Sequence, residues 1–300
     1  MKKPLVIATR SGSLAIAQTQ IVVSALQKIH PAVNIRIKKM ASQGDKDQRT
    51  TLWELKSTGF FTSRLEDALL AGQADIAVHS FKDLPTAQRE GLSIAAVLDR
   101  RFPEDCLVSA KPIKSIDQIP RGAKIGTSSL RRTVQINRLR PTLVCVPIRG
   151  NVTTRLRKLE QGDFDAIVLA RAGLERLDMS EKISIVFEPT QFIPAPAQGA
   201  LAVQIRANDI ETRELVSKLD DENTRITTTA ERLVFSALQC GCHAPAGAFA
   251  RINNSQITIS AFFSEPDGKK YAQTTLAGPV DNYETLTQSL AAKLLRKDIP

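Results

Sequence analysis

Arginines beside predicted strand ends are the residues with the clearest capacity for chemistry in this chain. Arg131 and Arg132 stand in the first turn of a predicted helix that opens at Thr127-Ser128-Ser129-Leu130, where Ser128 or Ser129 can cap it. Arg149 follows another predicted strand, and Arg155 lies one turn into the next helix. A guanidinium holds a carboxylate or phosphate through two parallel hydrogen bonds. Cations in a first helical turn oppose the helix dipole, and a bound anion offsets that penalty. The pattern therefore predicts an anion site.

A second polar group, His79-Ser80-Phe81-Lys82-Asp83-Leu84-Pro85, directly follows a predicted buried strand. Asp83 can form a surface ion pair with Lys82, or it can accept or stabilise a proton or cation at a reacting centre. For His79 we expect a buried imidazole with satisfied hydrogen bonds. These residues predict the rim of a cleft, because ligands of α/β folds bind at the carboxyl ends of strands.

The four cysteines divide into two kinds. Cys106 and Cys145 lie in apolar runs, which is typical of small core residues. Cys240 and Cys242 lie in a glycine-punctuated segment, where a reactive thiol remains open. With three histidines in the whole chain, we predict no metal site there or elsewhere.

Composition and charge limit the classes of function. The chain has 300 residues, 42% hydrophobic and 24% charged, which is ordinary for a globular protein of two or three domains. No apolar run reaches the roughly 18 residues of a membrane span. Arg10 and Gln18 interrupt the apolar N-terminus before a signal peptide could form, so we expect a cytoplasmic protein. Between residues 121 and 176 there are 12 basic and 4 acidic residues, a net +8 of the total +10.

The predicted elements repeat along the chain. Strand, turn and helix run over residues 5–29, followed by a strand at 34–40, a helix at 60–71 and a strand at 75–79. The same order recurs at 124–140, 143–148, 152–161 and 165–168. Residues 72–78 also match 162–168 in their spacing of glycine, aspartate and apolar residues. The chain therefore predicts two similar α/β units, each with a mainly parallel sheet.

Three further segments complete the organisation. Residues 42–58 form a polar insertion that is either a mobile cover for a cleft or a plain connector. Residues 200–206 form a strand that could return to the first sheet. A helix at 222–238, alternating strands and a final helix at 282–296 indicate a small α+β domain. The expected domains are 1–99 with 200–218, then 100–199, then 219–300.

Several ordered motifs together resemble the porphobilinogen deaminase (hydroxymethylbilane synthase) family along nearly the full length. The matching segments are residues 7–10, 77–85, 126–132, 149–156, 196–200 and 241–242. The resemblance implies two α/β domains like those of type II periplasmic binding proteins, with a small C-terminal α+β domain. It also implies a dipyrromethane cofactor and the head-to-tail condensation of four porphobilinogens into a linear tetrapyrrole, with loss of ammonia. Each pyrrole carries an acetate and a propionate, which matches the anion that the basic segment predicts.

The resemblance also implies roles for single residues. Asp83 would be catalytic, and Cys242 would anchor the cofactor through a thioether. Further residues would hold cofactor carboxylates: Lys82, Ser129, Arg131, Arg132, Arg155 and Arg176. Arg10, Arg149 and again Arg155 would lie near the substrate. The family suggests a monomer. The chain departs from the family pattern at Gly12, Glu54, Thr58, Cys240 and Gln204.

Two other functions compete with the enzyme. Two α/β lobes around an arginine-lined cleft also describe a solute receptor, against which the absent signal peptide and the Cys242 segment argue. A nucleic-acid-binding protein would use the basic middle, but one Trp and two Tyr offer little stacking surface. We therefore expect porphobilinogen as the partner, with no nucleic acid and no membrane.

Overall fold

The computed structural model describes residues 3–40, 62–98, 100–238 and 244–295. The insertion predicted at 42–58 and the pair Cys240 and Cys242 lie outside these residues. Contacts between Cα atoms divide the chain into two compact units. Unit 1 holds the described residues up to Arg101 together with Gly199–Arg225, and unit 2 holds Phe102–Gln198 and the described residues from Ile226 onward.

Strands and helices alternate through most of the described chain. The first part contains β1 (Leu5–Arg10), α1 (Ser13–Ile29), β2 (Ile35–Met40), α2 (Ser63–Leu70), β3 (Ile76–Ser80) and β4 (Leu92–Leu98). The middle contains β5 (Asp105–Ser109), β6 (Lys124–Gly126), α3 (Leu130–Leu139), β7 (Val144–Val146), α4 (Val152–Glu160), β8 (Ala166–Ala170), α5 (Arg171–Glu175) and β9 (Ile185–Val186). The last part contains β10 (Leu201–Arg206), α6 (Ile210–Ser217), α7 (Glu222–Ala237), β11 (Ala246–Asn253), β12 (Gln256–Ser264), β13 (Tyr271–Pro279) and α8 (Tyr283–Leu295).

The sheet of unit 1 has the strand order β2-β1-β3-β10-β4. β1 runs parallel to β2 and β3, whereas β10 runs antiparallel to both of its neighbours. The prediction that residues 200–206 return to the first sheet is therefore confirmed. Apolar side chains alternate along β1, so that Ile7 packs with Val22 and Leu26 while Val6 packs with Leu65. One sheet thus has a hydrophobic core on each face, as a mainly parallel sheet requires.

The sheet in the middle of unit 2 repeats this order as β7-β6-β8-β5-β9, with β5 in the antiparallel position. The predicted repeat recurs in atomic detail. Asp75 donates its backbone N–H to the Val6 carbonyl (2.8 Å) and accepts from the Val6 N–H (2.8 Å). Asp165 makes the same pair of bonds with Lys124 (3.0 and 2.8 Å). The predicted fold of two similar α/β units is confirmed, and the sequence reading missed the short edge strand β9 and its neighbour β5.

A three-stranded antiparallel sheet, β11-β12-β13, forms the remainder of unit 2. Its core includes Val234 of α7, Ile259 of β12 and Leu290 of α8, all fully buried. On the other side, Phe249 and Phe262 pack with Ile193. This part is the small α+β element that the sequence predicts. No helix among the described residues is long and apolar enough to cross a membrane.

The small sheet approaches the chain at 193–194 so closely that β11 requires glycine. A Cβ on Gly247 would lie 2.7 Å from the Ile193 carbonyl oxygen and 2.8 Å from Phe262 Cε1. We expect Gly247→Ala to lower the free energy of unfolding by about 2 kcal/mol, because backbone must move to admit the methyl group. Urea denaturation of the purified variant measures this change.

The matched control is Gly12→Ala. A Cβ at position 12 meets nothing within 4 Å, and the backbone there has φ −70°, which alanine adopts without strain. Because Gly12 is the N-cap of α1 and alanine is a poorer N-cap than glycine, we expect a loss of at most about 1 kcal/mol, with no contribution from a clash. Equal destabilisation of the two variants would contradict the close approach at Gly247.

Candidate active site

The carboxyl ends of β1 and β3 in unit 1 carry Arg10 and the tight turn Phe81–Asp83. Phe81 and Leu84 are both buried, and the Phe81 N–H donates to the Ala200 carbonyl at 3.1 Å. These two apolar anchors hold the turn on the sheet. Asp83, between them, is exposed. The fold therefore presents this carboxylate at a fixed place on the rim of the sheet.

A small network of buried and partly buried polar groups ties α1 to the same edge. The Thr19 hydroxyl donates to the Ala15 carbonyl (2.9 Å), and its oxygen lies within hydrogen-bond distance of Thr9 Oγ1 (2.7 Å). Gln18 donates from Nε2 to Ser80 Oγ at 2.7 Å. The N-terminal half of α1 is thus bonded to the ends of both strands, which fixes the residues that follow them.

His79 is buried with its hydrogen bond satisfied, as predicted. Its Nε2 lies 3.0 Å from Oε1 of Gln204, a residue of β10. Burial lowers the pKa of the His79 imidazole to about 4, the hydrogen bond to Gln204 opposes this shift, and the nearby Arg10 adds to it. His79 is therefore uncharged at neutral pH.

In unit 2, the two arginines at the start of α3 converge on one buried carboxylate, Asp105 of β5. Arg131 Nη1 lies 2.6 Å from Oδ2, while Nε and Nη2 of Arg132 lie 3.1 and 2.7 Å from Oδ1. Asp105 is fully buried, and the two arginines are 6% and 8% exposed. Backbone carbonyls of Ile193 and Val168 accept further guanidinium hydrogens. We expected a bound anion to offset the positive charge of these two arginines. Much of that charge is instead offset by Asp105, a residue of the protein itself.

The sequence reading missed Asp105. Burial by itself would raise the pKa of its carboxyl, but the guanidiniums of Arg131 and Arg132 hold that pKa well below the usual range. The pairing therefore stabilises the fold fully above about pH 4, the ordinary aspartate pKa, and this contribution is lost as the pH falls below it. The sequence feature that could have indicated a buried carboxylate is the position of Asp105 directly before the apolar run Cys106-Leu107-Val108.

The serines before α3 have a different role from the predicted cap. Ser129 occupies the N-cap position but makes no capping hydrogen bond with its side chain. Ser128 donates its hydroxyl to the Ile148 carbonyl (2.7 Å) and accepts from the Ile148 N–H (3.0 Å). Ser128 thus joins the start of α3 to the segment that leads to Arg149.

The turn before α4 positions Arg155. Asn151 caps this helix by accepting the Thr154 N–H, and Arg155 donates from Nε to the Gly150 carbonyl at 2.8 Å. Gly150 has φ +107°, and a Cβ there would lie 2.6 Å from Thr154 Cγ2, so only glycine fits. Burial, together with the positive charges of Arg132 and Arg149, lowers the pKa of Arg155 to about 10.

Arg155 is the cation best placed for an external anion. Among the residues that the structure describes, no carboxylate forms an ion pair with it. Arg176, at the end of α5, also has a pKa lowered to about 10 by burial. A desolvated guanidinium beside two others of the same charge is stabilised by carboxylates on a ligand. The residues of unit 2 therefore fit a group that carries several carboxylates.

Gln198 and Glu231 support the Asp105 cluster, and the sequence reading singled out neither of them for a site. Gln198 donates from Nε2 to Asp105 Oδ1 (3.1 Å) and to the Pro103 carbonyl (2.8 Å). The fully buried Glu231 of α7 accepts the N–H groups of Ala197 (2.6 Å) and Ala250 (2.7 Å). Ala197 has φ +59°, so this carboxylate helps to hold a strained residue next to Gln198.

The remaining candidate residues separate by unit. Arg10, Lys82 and Asp83 lie in unit 1. The other candidates lie in unit 2: Ser129, Arg131, Arg132, Arg149, Arg155 and Arg176. Cys242 lies outside the described residues, as does Cys240. Cys106 is a fully buried core residue, as predicted, and Cys145 is partly buried. Within the described ranges, no group of three or more His, Cys, Asp or Glu could hold a metal ion.

Two family profiles match the chain. One, described as porphobilinogen deaminase, dipyromethane cofactor binding domain, matches residues 5–214. The other, described as porphobilinogen deaminase, C-terminal domain, matches residues 225–296.

Similar proteins agree with these profiles. A porphobilinogen deaminase of Carboxydothermus hydrogenoformans is 40% identical over 297 residues, which cover 99% of this chain and 95% of that protein. A porphobilinogen deaminase of Chromobacterium violaceum is 39% identical and covers 97% of this chain and 94% of its own length. Among solved structures, the periplasmic aliphatic sulphonate binding protein of Escherichia coli has a TM-score of 0.41 and 16% identity, over 80% of this chain and 71% of that one.

The buried cluster predicts a large difference between two aspartates that each pair with arginine. Asp105→Asn leaves two guanidiniums buried with no opposing charge, so we expect the free energy of unfolding to fall by about 3–5 kcal/mol. Asp117 pairs with Arg140 at 2.9 Å, and its side chain is 76% exposed. We expect Asp117→Asn to cost at most about 1 kcal/mol. Urea denaturation of both variants at pH 7 measures the two losses. Similar losses of unfolding free energy would contradict the stabilising role of the buried pairs between Asp105 and the two arginines.

Proposed function

The chain belongs to the porphobilinogen deaminase family, and we propose how its own residues divide the work of that family's reaction. It condenses four porphobilinogen molecules head to tail into hydroxymethylbilane and releases four ammonia molecules, as a step of tetrapyrrole biosynthesis. It uses a dipyrromethane cofactor. When bound, that cofactor supplies the pyrrole end to which the first substrate is joined.

The arrangement of cations in unit 2 carries the proposal for binding. Every pyrrole adds an acetate and a propionate, so a product of several pyrroles is a polyanion. We assign the cofactor carboxylates to Lys82, Ser129, Arg131, Arg132, Arg155 and Arg176. We assign the substrate carboxylates to Arg10, Arg149 and Arg155. Arg155 supports this assignment most directly, since it is partly buried and the positive charges of Arg132 and Arg149 act on it.

Arg131 and Arg132 have unequal capacities to bind a ligand. Arg132 bonds Asp105 through Nε and Nη2 and the Val168 carbonyl through Nη1, so all three nitrogens are engaged. The hydrogen bonds of Arg131 within the described residues involve Nη1. We propose that Arg131 offers its Nε and Nη2 edge to a ligand carboxylate, while Arg132 contributes mainly its charge.

Asp83 is the proposed catalytic residue. Its carboxylate is exposed on a turn held by the buried Phe81 and Leu84, so it can meet a substrate without unfolding the edge of the sheet. We propose that it stabilises positive charge on the pyrrole nitrogen as ammonia leaves. In the same position it can accept and return a proton during each condensation.

Cys242 is the proposed anchor, through a thioether that survives repeated condensations. Its sulfur keeps one end of the growing chain on the protein and does not react during the condensation cycles. Cys240 stands two residues earlier and could compete for attachment or oxidation. The support for Cys242 is its place in the motif match.

We further propose a cytoplasmic monomer that takes porphobilinogen as its small-molecule substrate and binds neither nucleic acid nor a membrane. We also propose domains at 1–99 with 200–218, at 100–199 and at 219–300. The two family profiles support the last division, because they meet between residues 214 and 225. Sedimentation velocity tests the oligomeric state.

Asp83→Asn tests the catalytic assignment. The side chain is exposed, so we expect unchanged unfolding and unchanged cofactor content, while kcat falls at least about a hundredfold with the loss of the charge. Asp67→Asn is the matched control, since Asp67 is an exposed aspartate of the same unit that pairs with Arg89. The rate of hydroxymethylbilane formation measures both. Wild-type kcat in Asp83→Asn would remove this residue from the mechanism.

Intact mass spectrometry of the wild type and Cys242→Ser tests the anchor. We expect the wild type to exceed its sequence mass by two porphobilinogens less two ammonias, and the variant to show the sequence mass alone. Cys240→Ser is the control and should keep the excess mass. If the excess survived in Cys242→Ser and disappeared in Cys240→Ser, Cys240 would be the anchor.

A further inference from the structure

Lys158 of α4 is a cation to which the proposed reaction assigns no role. It is partly buried, and its Nζ donates to the Arg149 carbonyl at 3.5 Å. The side chain therefore runs back along the helix to the turn that precedes α4, the direction in which helical side chains lean. Arg155 does the same, because its Nε donates to the Gly150 carbonyl at 2.8 Å. Two cations of one helix thus bond two successive carbonyls of this turn.

The orientation of α4 places these two cations together. Leu156 and Leu159 are buried and fix the face of the helix that packs on the sheet. Arg155 and Lys158 are three residues apart, so their Cβ atoms are neighbours at about 5–6 Å, and like charges at this spacing destabilise a helix. Arg157 lies between them in sequence but is exposed on another side. The two partly buried cations are therefore held together against their mutual repulsion.

The described part of the protein does not neutralise this pair. No described carboxylate forms an ion pair with Arg155 or Lys158. Glu160, the acid of α4, pairs instead with Lys182 at 3.3 Å. The buried carboxylate of Asp105 is engaged by the two arginines at the start of α3. An anion from outside the protein is the group that would offset the two charges.

The hydrogen-bond donors that remain match the chemistry of one pyrrole ring. An ammonium has three N–H donors, and the Arg149 carbonyl accepts from Lys158. The hydrogen bond of Arg155 within the described residues involves Nε, so both Nη nitrogens can face a ligand. Porphobilinogen carries its acetate and its propionate on neighbouring ring carbons. Two neighbouring cations on one helix face therefore suit the two carboxylates of a single substrate molecule.

We propose that Lys158 is a substrate-binding residue, which holds one carboxylate of the incoming porphobilinogen while Arg155 holds the other. This inference rests on the proposed function and adds a residue to its substrate site. A lysine in the last turn of a helix can also act by complementing the helix dipole. Arg157 lies in the same turn, so it shares that role and lacks the contact with the Arg149 carbonyl.

Equilibrium binding to the holoenzyme gives the first test. The probe is a pyrrole with the acetate and the propionate but without the aminomethyl group, so it has no ammonia to lose and cannot condense. We expect Lys158→Met, which keeps an apolar stem and removes the charge, to raise the Kd of this probe at least about tenfold in isothermal titration calorimetry. Arg157→Met is the matched control and should keep the wild-type Kd. An unchanged Kd in Lys158→Met would overturn the proposal.

Neutral derivatives of the probe separate a contact with the ligand from support of the turn. In each of two monoamides, one carboxylate is replaced by a carboxamide. We expect one monoamide to bind the wild type about tenfold more weakly than the diacid, and to bind Lys158→Met as well as the diacid does. If Lys158 only held the Arg149 carbonyl, the variant would weaken all three ligands by one factor. That result would contradict the proposal.

Two further variants keep the test valid if Lys158→Met does not fold. Lys158→Gln retains an N–H donor without the charge, and we expect the same loss of affinity as in Lys158→Met. Lys158→Arg retains the charge, and its Kd should stay within about threefold of the wild type. Wild-type affinity in Lys158→Gln, or a tenfold loss in a folded Lys158→Arg, would contradict a role for the charge.

Steady-state kinetics distinguish this inference from the proposed function. Binding of a substrate carboxylate acts on the ground state and the transition state alike, so Lys158→Met should raise KM about tenfold and leave kcat within about twofold. A fall in kcat at unchanged KM would contradict the assignment. Absence of porphobilinogen turnover in the wild type would contradict the proposed function. Normal turnover in the wild type with an unchanged KM in Lys158→Met would contradict the role of Lys158 alone.

Discussion

Two guanidiniums buried against one carboxylate are the constraint around which unit 2 is organised. Removing charge from water costs several kcal/mol per ion, so Arg131 and Arg132 can stay buried only with their hydrogens and charges satisfied. Asp105 supplies the opposing charge, and the carbonyls of Ile193 and Val168 supply further acceptors. These partners come from β5, from β8 and from the segment before β10, so one cluster fixes the start of α3 against all three.

The same constraint reaches the C-terminal sheet. Gln198 completes the contacts of Asp105, and its neighbour Ala197 is held by the carboxylate of Glu231 on α7. Glu231 also accepts the Ala250 N–H of β11. Through Glu231, the small sheet therefore helps to hold Ala197 and Gln198, and Gln198 in turn contacts Asp105 in the arginine cluster. Because one carboxylate faces two guanidiniums, with Arg155 close by, the cluster keeps an excess of positive charge, and this excess suits a ligand with several carboxylates.

The two α/β sheets share their framework but differ at their functional edges. Asp75 and Asp165 make equivalent backbone clamps, and the strand orders correspond one to one. At the carboxyl edge, however, unit 1 presents the exposed Asp83, whereas unit 2 presents Arg131, Arg132 and Arg155. A repeated scaffold thus presents an exposed carboxylate in one unit and a cluster of guanidiniums in the other.

The sequence by itself determined the two α/β units, the return of β10, the long helix α7, the basic character of the middle segment and the family. These depend on local periodicity, on short motifs and on charge, all of which can be read along the chain. Only the tertiary structure decided which groups those residues meet. Asp105 lies 26 residues before Arg131, and Gln204 lies 125 residues after His79. The serines before α3 were expected to cap that helix, but Ser128 bonds Ile148 instead. Burial strengthens such distant polar pairings, and local sequence patterns carry no information about which partners the sheet order brings together.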